Sequence, residues 1–245
     1  MVAPPTIKQI DQRYNLVLSN KVIYDGGTNS IRACKSSHCK QALVAKMINY
    51  HEPDLVQMLE REAQYATKIV HANIVKFHGT IAHNDAPVLI YDRFKYNLDD
   101  AIHACRRPSK EKRIQMCIDL LDAVAWMHAL DTCHTAITTK HVLVKTSYPW
   151  IIRVPYAEQC LITNLAHAHT PMTPFQAKQD MIALTHIICC IMYWDKITAP
   201  HPDWLDTFHS KNDRAVAFMQ AVSNYDSFAS AVDWARECKR SVDTH

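Results

Sequence analysis

The stretch His134-Thr135-Ala136-Ile137-Thr138-Thr139-Lys140-His141-Val142-Leu143-Val144 decides the fold. Upstream of it, Ile114, Cys117, Ile118, Leu121, Val124, Ala125 and His128 recur at the spacing of one apolar helix face, a helix of about five turns. Downstream, Val142 to Val144 reads as a short strand, with a second apolar run at Trp150 to Val154 and a polar, proline-bearing loop as far as Lys178. Outward on the amino-terminal side the period changes. Leu16 to Leu18, Val22 to Tyr24, Ile31 to Cys34, Ala42 to Ile48, Ile74 to Ile81 and Val88 to Tyr91 are β-rich runs separated by polar turns. One helix interrupts them from Pro53 through Leu55, Leu59, Glu62, Ala63 and Ala66. On the carboxyl side, Met181 to Tyr193 is apolar all round and predicts a buried helix, followed by helices at Asp213 to Val222 and around Phe228, Ala231, Val232 and Ala235. A small antiparallel sheet lobe followed by a mainly helical lobe is an α+β arrangement, with the cleft between lobes the default ligand site.

Composition narrows the chemistry. Only 3 of 245 residues are glycine, at 26, 27 and 79, so neither a GxGxxG fingerprint nor a GxxxxGK[ST] loop can be written. The chain is 48% hydrophobic, enough for a real core, and its net charge of +3 is spread thinly apart from Arg106, Arg107, Lys110, Lys112 and Arg113. That cluster reads as a solvated loop, with an acidic partner as the alternative; no nucleic-acid footprint is expected. The longest apolar run, Ile187 to Trp194, falls far short of the ~20 residues a membrane helix needs. Nine cysteines without framework spacing fit reduced thiols and a cytoplasmic, membrane-free protein.

In order and spacing, several strings resemble the eukaryotic protein kinase domain over nearly the whole chain. Leu43-Val44-Ala45-Lys46 is similar to the family's third-strand V-A-I-K, and Glu62, sixteen residues on, to its helix-C glutamate. His71-Ala72-Asn73-Ile74-Val75 resembles H-P-N-I-V. Tyr91 falls on the gatekeeper, Asp92 and Arg93 on the hinge, and Asn97-Leu98-Asp99-Asp100 on the start of helix D. Trp126-Met127-His128 closes a helix like helix E. His134 to Val144 lies over H-R-D-L-x-x-x-x-N-I-L-V, and Asp180 over the aspartate that opens helix F. The resemblance implies a two-lobed domain over residues 1–245, with lobes 1–93 and 94–245, and a nucleotide site using Lys46, Glu62, Gly26 and Asp92.

Measured against what phosphoryl transfer needs, the pattern is depleted. Ala136 replaces the catalytic-loop aspartate, Thr135 the arginine before it, Thr138 the following lysine, and His141 the metal-binding asparagine. Imidazole suits zinc or copper better than Mg²⁺. The D-F-G position has two registers: Val154, which keeps the habitual gap from His141, and Asn164, which copies the local pattern. Neither is an aspartate. With Ile31 at the valine of the glycine-rich loop, only Gly26 keeps a glycine position, and Asn29 takes the third, where a left-handed backbone is expected. No A-P-E anchor is found, and Ser227 to Trp234 lacks the arginine and proline of the family's R-P-S-F segment.

Other constellations read blandly. Cys34 with His38 and Cys39, and Cys133-His134 with His141, are incomplete as metal sites. Cys133-His134 is adjacent in sequence and not disposed as a nucleophile pair. Cys189 and Cys190 are core residues. The expected function is that of a kinase-like domain without catalysis, a pseudokinase. It would bind a protein, a kinase or a kinase substrate, as scaffold, allosteric regulator or decoy. ATP binding is expected to be weak or lost, Mg²⁺ is not expected, and no cofactor is required. The alternatives are an atypical active kinase using Glu158 or Asp180 for metal, and a nucleotide sensor without turnover.

Overall fold

The computed structural model describes residues 16–36, 42–148 and 154–196. Its contacts divide the chain into two units. The first holds the residues up to Val70 together with Val75–Arg93 and Leu165–His167; the second holds His71–Ile74, Phe94–Asn164 and the chain from Ala168.

In the first unit, β1 (Leu16–Asp25), β2 (Asn29–Ser36), β3 (Leu43–Ile48), β4 (Phe77–His83) and β5 (Ala86–Asp92) form an antiparallel sheet in the order β1-β2-β3-β5-β4. Alternation sorts the side chains. Leu43, Ala45 and Met47 join Leu16, Leu18, Cys34, Ile81, Val88 and Ile90 in one buried cluster. The other side-chain set of β3 and β5 contains Val44 opposite Tyr91 and Lys46 opposite Leu89. Helix α1 (Pro53–Lys68) starts with proline in its first turn and buries Leu59, Glu62 and Ala66, the helical spacing that turns one face inward. It packs on β3, β4 and β5.

In the second unit, β6 (Tyr96–Asn97), β7 (Val142–Ser147) and β8 (Tyr156–Ile162) form an antiparallel ribbon in that order. The helices are α2 (Leu98–Ala104), α3 (Lys110–Ala129) and α4 (Pro174–Tyr193). Each begins at a side-chain cap: Asn97 accepts from Asp100, Ser109 from Lys112, and Thr173 forms a reciprocal capping box with Gln176. α3 packs on β8 and α4. The apolar run of α4 is buried as its composition predicts, with Leu184, Ile187 to Ile191, and so Cys189 and Cys190, at 0% exposure.

Several expectations shift. The strand partner of Val142–Val144 is Tyr156–Ile162; of the expected run Trp150–Val154 only Val154 is described, an exposed bend ahead of β8, and the remainder lies outside the described residues. The run Ile74 to Ile81 is split. Ile74 bridges Ile162 in the second unit, while β4 begins at Phe77. The helices expected at Asp213–Val222 and Phe228–Ala235, and the Ser227–Trp234 segment, lie outside the described residues. Among the described residues no helix is long and apolar enough to cross a membrane.

Candidate functional site

Within the first unit, Lys46 on β3 and Glu62 on α1 meet as the spacing implied. Lys46 Nζ donates to Glu62 Oε2 at 2.6 Å, and the residues are only 8% and 1% exposed. The sequence did not reveal the third member. Tyr91 on β5 donates its hydroxyl to Glu62 Oε1 at 3.0 Å. Both carboxylate oxygens therefore have donors, which is what makes a buried charge tolerable. Burial, followed by the Glu62 charge and the hydrogen bond to it, pushes the Tyr91 phenol well above its ordinary range, so it remains a donor. Its ring is fixed from the other side by Phe77, with centroids 5.2 Å apart.

The remaining first-unit positions are engaged internally. Asp92 accepts at Oδ1 from His78 Nε2 at 2.7 Å, and its backbone N–H donates to the Lys76 carbonyl. At the β1–β2 turn, the Gly26 N–H donates to the Asn29 carbonyl and the Gly27 N–H to Asp25 Oδ1. Asn49 Nδ2 ties the same turn down through Asp25 Oδ1 and the Gly27 carbonyl. Two amides that a phosphate-covering loop would aim at its ligand are thus spent on the turn. The left-handed residue is Gly27, at φ 80°; Asn29 is not left-handed and lies in β2 opposite Ile48. Asn29 was expected to carry that strain, but the tight turn moves it two residues earlier.

Within the second unit, the loop from Cys133 to His141 is organised by Asp180, which lies in the second turn of α4 rather than at its start. Asp180 is 1% exposed. Its Oδ2 accepts from the His134 N–H at 2.7 Å and pairs with His128 Nε2 at 3.0 Å, and its Oδ1 accepts from the Thr135 N–H at 2.7 Å. This clamp holds Thr135 at φ 61°, an uncommon conformation for a β-branched residue. His134 is fully buried and its Nε2 hydrogen-bonds the Thr163 carbonyl at 3.0 Å. Cys133 and His169 exchange backbone hydrogen bonds as an isolated bridge, so Cys133 is placed by that bridge and not toward His134.

The two residues offered for the D-F-G position, Val154 and Asn164, stand on opposite sides of β8. β8 ends at Ile162, and Asn164 stands two residues beyond it with φ 67°, whereas Val154 precedes the strand. Asn164 meets His141 directly, Nδ2 to Nε2 at 3.0 Å, and His141 Nδ1 lies 2.6 Å from the Ala136 carbonyl. The imidazole donates from Nδ1 and accepts at Nε2, so both ring nitrogens are occupied. Ala136, His141 and Asn164 are thus joined in one hydrogen-bonded network.

Mg²⁺ asks for oxygen ligands, usually one or two of them carboxylates. These residues do not fit it: Ala136 has no ligand atom, His141 offers nitrogen already bonded, and Asn164 offers a neutral amide. The substitute acids are also taken. Asp180 already serves His128 and the His134 and Thr135 N–H groups, and Glu158 accepts from Ser147 at 2.6 Å and pairs with Lys112 at 2.9 Å. Among the described residues no group of three or more His, Cys, Asp or Glu is placed to hold a metal ion. Cys34 is buried, with its thiol pushed up to about 12; His38 and Cys39 lie outside the described residues.

A five-stranded antiparallel sheet bearing a lysine paired to a helix glutamate, with a helical unit whose loop is clamped by a helix aspartate, defines an α+β domain of the protein-kinase class. The model of the family described as protein tyrosine and serine/threonine kinase matches residues 21–168, more than half of the chain, and the chain belongs to that family. Among curated proteins none matches it.

Proposed function

We propose that this protein is a kinase-fold domain that does not transfer phosphate and works by binding another protein, as a scaffold, an allosteric regulator or a decoy that occupies a kinase's partner surface. One observation carries this: His141, where the family holds its metal-binding asparagine, spends both ring nitrogens on the Ala136 carbonyl and Asn164, neither of them a carboxylate. A proton acceptor and a Mg²⁺ ligand set are both missing from these three residues. Fold membership does not supply them, because function resides in the site.

The intact Lys46–Glu62 pair supports a second reading, a nucleotide sensor without turnover. Thermal-shift titrations with ATP, with and without Mg²⁺, separate the possibilities. A ligand at 100 times its Kd adds ~2.7 kcal/mol, roughly 5–10 °C for a chain of this size. The binding-only proposal expects no Mg²⁺-dependent shift. A shift with ATP alone favours the sensor, and one that requires Mg²⁺ overturns the proposal.

A further inference from the structure

The segment Cys105–Ser109, which joins α2 to α3 and leads into the first turn of α3 as far as Arg113, runs beside the start of β8. The Arg106 N–H donates to the Pro155 carbonyl at 2.9 Å, and Arg106 bridges Tyr156. Tyr156 also fixes the guanidinium, whose Nη1 donates to the phenol at 2.6 Å while the group lies 5.4 Å from the ring centroid. Lys95 is held the same way: its Nζ donates to the Tyr148 hydroxyl at 2.9 Å and sits 4.8 Å and 5.3 Å from the Tyr96 and Tyr148 rings. Phenols and ring faces position a cation without cancelling its charge.

Carboxylates do not cancel it either. Glu158 is used by Lys112 and Ser147, Glu111 is engaged at the Ser109 hydroxyl and its own backbone, and Asp99 on α2 pairs with Lys196. Among the described residues, Lys95, Arg106, Arg107, Lys110, Arg113 and Lys145 have no carboxylate within ion-pair distance. Arg113 donates from Nη1 to the Pro108 carbonyl, but its buried Nε has no partner. Burial and the neighbouring Arg107 charge pull it below the usual guanidinium range, outweighing the opposing pull of Glu111. With Lys112 included, seven cations stand against Glu111 and Glu158. That surplus exceeds the whole chain's +3, so the rest of the chain is net negative.

We propose that this face docks an acidic, extended segment of a partner protein, its carboxylates pairing with Arg106, Arg107, Lys110 and Arg113 and its apolar side chains lying against Tyr96 and Tyr148. The inference rests on the protein-binding function proposed above and adds the chemistry of the partner. A short acidic segment fits better than a nucleic acid. The cations are confined to one loop, the first turn of α3, strand β7 and the residue before β6, and a net negative remainder would repel a polyanion that tracked further along the chain.

The test is fluorescence anisotropy with a fluorescein-labelled peptide, Glu-Asp-Glu-Leu-Glu-Tyr-Asp-Glu, against the intact chain at low salt. The controls are its Gln/Asn counterpart and a single-stranded oligouridylate. Arg107→Glu with Lys110→Glu is expected to weaken peptide binding about tenfold or more, since charge reversal at a steered interface slows association and leaves unpaired charge. Glutamate in the first turn of α3 suits the helix dipole, so folding is retained. Lys35→Glu with Lys178→Glu, two exposed sites elsewhere, is expected to change binding less than about twofold. If the double variant fails to fold, Arg107→Ser alone is expected to cost about threefold. Equal losses from both pairs, binding of the neutral peptide, tighter binding of the oligouridylate, or no peptide binding at about 1 mM would each overturn the proposal. Phosphate transfer by a chain that still binds the peptide would instead sink the non-catalytic function and leave this surface standing.

Discussion

Replacing Tyr91 by phenylalanine removes one oxygen from a sealed charge site and nothing else. Glu62 is 1% exposed and accepts from Lys46 at 2.6 Å and from Tyr91 at 3.0 Å, so losing the hydroxyl leaves Oε1 of a buried carboxylate without a donor. The ring keeps its packing against Phe77, so no cavity opens. A hydrogen bond to a charged group contributes about 1.5–3 kcal/mol. At roughly 2–4 °C per kcal/mol for a chain of this length, Tyr91→Phe should lower Tm by about 3–12 °C. The assay is thermal unfolding by circular dichroism for the wild type, Tyr91→Phe, Glu62→Gln and the double variant. Because the two residues share one hydrogen bond, the double variant should be less destabilised than the sum of the singles, by at least about 1 kcal/mol. A Tyr91→Phe Tm within about 1 °C of wild type, or strictly additive effects, would refute the reasoning that Tyr91 completes the Lys46–Glu62 pair.

Other outcomes follow from the same geometry. Asp180→Ala removes the shared acceptor of the His134 and Thr135 N–H groups and of the His128 ring, and should cost about 3–5 kcal/mol in denaturant melts. The β4–β5 hairpin turns through Asn84 and Asp85, both left-handed at φ 48° and 58°, so Asp85→Gly should stabilise by up to about 1 kcal/mol, read as a higher midpoint at unchanged m value. Burial, reinforced by Arg32, lowers the His83 pKa below its ordinary value, so the unfolded chain binds the proton more readily. Stability should therefore fall as pH drops from about 7 through the ordinary imidazole range, and His83→Gln should flatten that slope.

What could be read from the sequence was whatever depends on local period or fixed spacing. The α1 face, the apolar α4 and the Lys46–Glu62 pair all follow from residues a few positions apart or from one strand-to-helix interval. The second strand of the β7–β8 ribbon was missed because Glu158 and Gln159 interrupt its apolar run; its alternation is visible only once Val142 is paired with Ile162. The site's closing contacts were hidden for a related reason. Tyr91 reaches Glu62, Asn164 reaches His141, and Asp180 reaches Thr135 across 29, 23 and 45 residues, distances that no periodicity encodes. Asn29 was expected to be left-handed from its register alone, but the hydrogen bonds of the turn give that conformation to Gly27.

The central claim is that the frame of a kinase is kept while its chemistry is gone. Transfer of labelled γ-phosphate from ATP to a generic protein substrate and to the chain itself, in Mg²⁺ and then Mn²⁺, tests it most directly when wild type is compared with Lys46→Ala. No incorporation above buffer, and no difference between the two proteins, is the expected result. Incorporation by the wild type that disappears in Lys46→Ala would contradict it.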